Sequence, residues 1–117
     1  PNTYQEIFDM LVERTSRAEV DWKPTSSENT FIVNFQGFSL SITHGSTLGL
    51  PFIKFEIRDS QGLKVDSFII EEIEKYWEKA SGLFSLARQQ ALKIDKAIAV
   101  ISDELKKAKK VGSPIDK

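Results

Sequence analysis

An α+β fold with an antiparallel sheet is predicted by three features of this chain. A capping-box sequence opens an amphipathic run near the N-terminus, alternating apolar and polar runs occupy residues 30–69, and a helical pattern persists from about Ile70 to about Lys110. The 117 residues, 40% hydrophobic and 28% charged, suit a single domain (1–117) with one core. The expected order is an N-terminal helix over 1–18, a four-stranded antiparallel meander over 30–69, a helical segment over 70–110 and a tail over 111–117. Only one sheet face is apolar, so both helical segments are expected to pack on it.

Thr3 can cap the first helix, with Glu6 three residues on as its reciprocal partner. Tyr4, Ile7, Phe8, Leu11 and Val12 then recur at helical spacing, to about Arg17. The stretch WKPTSSEN, residues 22–29, reads as a polar linker, with Val20 and Trp22 as anchors onto the core. In TFIVNFQGFSLSITHG, Gln36-Gly37 lies between two alternating runs and predicts a two-residue hairpin turn. Pairing Phe35 with Phe38 sets Val33 opposite Leu40 and Phe31 opposite Ile42 on one face. The other face then pairs Asn34 with Ser39, Ile32 with Ser41 and Thr30 with Thr43, nearly all polar. FIKFEIR supplies a third strand with Ile53, Phe55 and Ile57 inward, and DSQG turns it into a fourth, LKVDSF.

The helical segment that follows is interrupted only by Ser81-Gly82, the expected site of a kink or split. Glu71, Glu72 and Glu74 suit its start, and Lys106, Lys107, Lys109 and Lys110 suit its end, as the helix dipole favours. Leu83, Ala87, Ala91, Ile94, Ile98, Ile101 and Leu105 fall within about 80° on a helical projection. Adding Phe84 on one flank and Leu86, Ala97 and Val100 on the other widens the apolar arc to roughly 200°. Residues 82–110 as one helix would be on the order of 43 Å long, against a sheet about 15–20 Å across. Part of the apolar seam should therefore overhang. Its cover is either a second copy, a foreign protein, or the same helix folded back at Gly82. The first is the expectation: a homodimer or small homo-oligomer joined through Leu86, Ile94, Ala97, Ile98, Val100, Ile101 and Leu105.

A formal charge of −1 provides no bulk attraction to nucleic acid or anionic lipid. The halves differ: residues 1–74 hold 12 acidic and 6 basic side chains, net −6, while residues 75–117 hold 5 and 10, net +5. Mutual attraction of the halves explains this without a basic binding surface. The absence of cysteine removes disulfides, thiolate metal sites and a cysteine nucleophile. The acidic, amphipathic N-terminus is unlike a signal peptide, and no stretch nears the ~20 apolar residues that span a bilayer, so a soluble, cytoplasmic protein without membrane contact is expected.

No catalytic or cofactor motif stands out, and neither a metal nor a cofactor is expected. His44, the single histidine, opens HGSTLGLPF, expected to be a flexible loop; a catalytic reading would join it to Ser46 and Asp59, with nothing to fix that geometry. The same loop could admit a ligand, as could the outer sheet face with Ser39, Ser41, Thr43, Lys54, Glu56 and Arg58. Glu71, Glu74 and Glu78 share a helical face and could in principle hold a hard cation, although Lys75 and Lys79 interrupt them. The lysines at 106, 107, 109 and 110 could contact phosphates, but no aromatic interleaves with them and no nucleic-acid-binding signature is present. The reading is thus a non-enzymatic interaction or assembly module, ahead of a nucleic-acid accessory protein and of a ligand binder or enzyme at His44.

Overall fold

The first helix, α1 (Tyr4–Ser16), starts as its sequence requires in the computed structural model, which describes residues 3–112. Thr3 Oγ1 accepts from the Glu6 N–H at 3.2 Å, and Glu6 Oε1 accepts from the Thr3 N–H at 2.8 Å, completing the capping box. At the other end the Glu19 N–H donates to the Arg14 carbonyl and the Ala18 N–H to that of Thr15. Ala18, at φ 59°, takes the left-handed position that more often falls to glycine.

Five strands, rather than four, form one antiparallel sheet in chain order: β1 (Lys23–Pro24), β2 (Thr30–Phe35), β3 (Phe38–Thr47), β4 (Leu50–Asp59) and β5 (Lys64–Glu71). The extra strand comes from the expected 22–29 linker, where Lys23 pairs with Ile32 and Pro24 with Phe31. Burial of Trp22 and a bond from Thr25 Oγ1 to the Thr30 carbonyl hold it there. A proline, lacking a ladder donor, is tolerated on such an edge. The β2–β3 hairpin has the predicted register at all six pairs, from Phe35–Phe38 to Thr30–Thr43.

Phe31, Ile42, Phe55 and Phe68 are successive cross-strand partners and so line one face of the sheet. Side chains of α1 and of α2 (Trp77–Ala91) meet this row. Phe8 stands edge-on to Phe55 with centroids 5.7 Å apart, Tyr4 stacks on Phe68 at 5.1 Å, and Phe84 of α2 lies 5.6 Å from Phe31. Ala80, Leu83, Ala87 and Ala91 form the buried stripe of α2. The opposite face keeps Ser39, Ser41 and Thr43 beside Lys54 and the Glu56–Arg58 ion pair at 3.1 Å.

The helical segment departs from its sequence reading at three points. The strand β5 continues to Glu71, because Ile70 is buried opposite Ile53, so the first helical turn comes at Trp77 rather than near Ile70. Gly82 lies inside α2 without a split, on a side where an added Cβ would meet nothing within 4 Å. The break comes instead at Leu92-Lys93: Lys93 adopts the left-handed conformation (φ 55°, ψ 46°), and a separate helix, α3 (Ile94–Lys107), follows. The single helix expected over 82–110 is therefore two helices with a corner between them. Of the expected 111–117 tail, residues 113–117 lie outside the described residues, as do residues 1 and 2.

Among the described residues, the α3 helix comes close to no element except α2. The described chain measures 59 × 33 × 29 Å with a radius of gyration of 17.3 Å, against about 13 Å for a compact domain of this length. That elongation comes from α3 standing off the body.

The β3–β4 connection is a two-residue turn at Leu48-Gly49, with both residues at positive φ (53° and 81°) and Thr47 paired to Leu50. This is the combination a type I′ turn requires, and leucine is poorly suited to its first position. Leu48 is 97% exposed and contributes no packing there. Leu48→Asn is expected to stabilise the chain by about 1 kcal/mol, read as a higher urea midpoint with an unchanged m-value.

Candidate functional site

The sequence of α3 is strongly amphipathic, yet none of its side chains is buried. Ile98 and Ile101 are each 59% exposed and Leu105 is 62% exposed. From Ile94 the apolar positions step by four, three and four through Ile98, Ile101 and Leu105, the spacing of a helix that packs along a single seam. Ile94, nearest the corner, is half-buried, whereas Ala97 and Val100 are exposed beside the seam. Leu86 sits apart from these residues, half-buried on α2 before the corner. The corner has its own fastening, since Gln89 Nε2 donates to Asp95 Oδ1 at 2.9 Å and the Ala97 N–H donates to the Lys93 carbonyl at 3.1 Å.

A second apolar surface lies between α1 and the edge of β2. Ile7, Met10, Leu11, Val20, Val33 and Phe35 line a groove of about 400 Å³, with Arg14, Glu19 and Asp21 at its margin. Met10 and Phe35 are both more than half exposed. Sequence reasoning missed this groove, because Met10 falls outside the core face of α1 and Phe35 reads simply as the last inward residue of its strand. Their shared exposure arises only when α1 is laid across the sheet.

At the C-terminal end of α1, a polar cluster ties three segments together. Trp22 Nε1 donates to Thr15 Oγ1 at 3.0 Å, and Gln90 Nε2 of α2 donates to the Thr15 carbonyl at 2.9 Å. Thr15 and Trp22 are buried. At the other end of α1 the Tyr4 hydroxyl donates to the Asp66 carboxylate on β5. That bond, with a second from the Ser67 N–H, holds Asp66 below the usual carboxylate range, while accepting Asp66 keeps the Tyr4 hydroxyl protonated to higher pH than usual.

The structure does not assemble the catalytic alternative. His44 belongs to β3 rather than to a loop, pairing with Ile53, and its ring lies 5.5 Å from that of Phe84. Asp59 pairs with Phe38, six residues along β3 from His44 and thus on the order of 20 Å away. Its carboxylate accepts from the Gln61 and Leu63 N–H groups and so closes the β4–β5 turn. Ser46 pairs with Pro51 near the hairpin end.

The acidic trio is likewise dispersed: Glu71 ends a strand, Glu74 accepts from the Glu71 N–H in the following turn, and Glu78 lies on α2. Among the described residues no group of three or more His, Cys, Asp or Glu side chains could share a metal ion. Lys107 Nζ lies 3.0 Å from the Asp103 carboxylate one turn back on α3, and Lys106, Lys109 and Lys110 are exposed. No described helix is long and apolar enough to cross a membrane. Comparison with protein-family models, curated proteins and solved structures finds no match.

Proposed function

We propose that this chain is a small, non-enzymatic, cytoplasmic assembly module that self-associates through α3. The observation that carries the reading is an amphipathic helix whose apolar seam is exposed from Ile98 to Leu105. A 14-residue helix is marginal on its own in water, so α3 needs packing that its own body does not supply. Ile98, Ile101 and Leu105, each about three-fifths exposed, offer roughly 1–2 kcal/mol apiece on burial. A handful of such contacts must offset the entropy lost on association, which makes the assembly weak and concentration-dependent.

Absolute mass by light scattering over a concentration series tests this directly. The expected mass rises above the 13.3 kDa of one chain as concentration increases, and Ile98→Asp with Ile101→Asp returns it to the single-chain value. A constant single-chain mass for the unaltered protein at every concentration would end the reading.

A further inference from the structure

We propose that the seat of α3 in the assembly is the groove between α1 and β2 of a second copy, with two copies exchanging their α3 helices reciprocally. This rests on the self-association reading and specifies which surfaces meet. The two apolar surfaces have matching forms, since a helix presenting anchors at i, i+3 and i+7 suits an apolar groove. Ile98, Ile101 and Leu105 supply that spacing, and Ile7, Met10, Val20, Val33 and Phe35 supply the groove.

The charge at the flanks of α3 favours this pairing over two α3 helices packed in parallel on each other. Residues 93–110 carry six lysines and three carboxylates, net +3, whereas residues 3–92 carry 13 acidic and 9 basic side chains, net −4. The helix itself is neutral and the surplus lies in Lys93, Lys109 and Lys110 at its flanks, so two 93–110 segments side by side in parallel would bring those lysines together, while the same segment against a body joins opposite signs. The chain's halves are attracted as their composition implies, but across two molecules.

The corner explains why a chain does not occupy its own groove. Left-handed Lys93 and the Gln89–Asp95 bond direct α3 away from the body. Yet α3 departs close to the groove, because Gln90, three residues before the corner, is bonded to Thr15 on the groove-bearing helix. Two copies related by a twofold axis near that end can each lay α3 on the other, so that both seams and both grooves close together.

The chain has no cysteine, so single thiols can be placed without background. Met10→Cys and Ile101→Cys variants are mixed and treated with a short bismaleimide. The expected main product is the mixed Met10→Cys/Ile101→Cys pair, in excess of cross-linked Ile101→Cys alone. Separately, Met10→Lys with Phe35→Lys should lower the mass to one chain as fully as Ile98→Asp with Ile101→Asp does, with far-UV dichroism and the urea midpoint confirming that the body is folded. If Ile101→Cys links mainly to itself, or the groove variant keeps the mass of the unaltered protein while the α3 variant loses it, the groove is not the seat although α3 still associates. If the unaltered protein stays one chain at all concentrations, both this inference and the reading beneath it fall.

Discussion

Trp22→Ala is expected to cost about 3–5 kcal/mol of unfolding free energy, a large share of the 5–15 kcal/mol typical of a domain. Two losses combine. The indole is almost wholly removed from water, so its deletion leaves a cavity among α1, β2 and α2. It also removes the donor to Thr15 Oγ1, leaving a buried hydroxyl without that bond. Urea titration followed by far-UV dichroism gives the number, and an unfolding free energy within about 1 kcal/mol of the original would show that the cluster does not hold the fold. Thr15→Val, which orphans the indole N–H instead, should cost about 1–3 kcal/mol. The double variant Thr15→Val with Trp22→Phe should show coupling between the sites, because each single change strands the other's partner.

Leu83→Asp and the pair Ile98→Asp with Ile101→Asp apply the same chemistry to one predicted apolar stripe, and their outcomes should be opposite. Leu83 is fully buried in the core, on the same stripe of α2 as Ala80, Ala87 and Ala91. A carboxylate there loses the leucine's transfer free energy and enters the core without a cation, a change expected to exceed ~4–5 kcal/mol and to unfold the chain. Ile98 and Ile101 face water in the monomer, so two aspartates there should leave the unfolding midpoint of the body unchanged at concentrations where the unaltered protein is a single chain. Their effect should fall on mass, and on the part of the helical signal contributed by α3, which frays once it has nothing to pack on. Equal destabilisation by both changes would mean that α3 belongs to the core.

Where an element depends on neighbours in the chain, the sequence reading matches the structure closely. Thr3 and Glu6 cap each other because they are three residues apart at a helix start, and the β2–β3 register follows from Gly37 and from alternation on both sides of it. Where the deciding contact is distant, local patterns mislead. The run Phe68-Ile69-Ile70 suits strand or helix equally well, and Ile53 across the sheet decides for strand. The stretch from His44 to Gly49 looks like a glycine-rich loop, but pairing with β4 extends the ladder until only Leu48 and Gly49 are left to turn. The groove was invisible for the same reason, since Met10 and Phe35 are 25 residues apart and neither is apolar in an unusual place.

The sequence alone determined the class, the capping box, the hairpin register and the existence of a seam too long for the body to bury, because these rest on spacing along the chain and on the polarity of each face. Tertiary structure alone decided that the seam is divided. No glycine or proline marks the corner at Lys93; α2 runs unbroken through Gly82, with Ala80, Leu83 and Ala87 buried, and its buried stripe ends at Ala91. Beyond Ala91 the chain turns through a strained lysine and leaves the body. Periodicity cannot reveal that step, because apolar residues recur at helical spacing on both sides of the corner, and only the three-dimensional limit of the core separates those that are covered from those that are not.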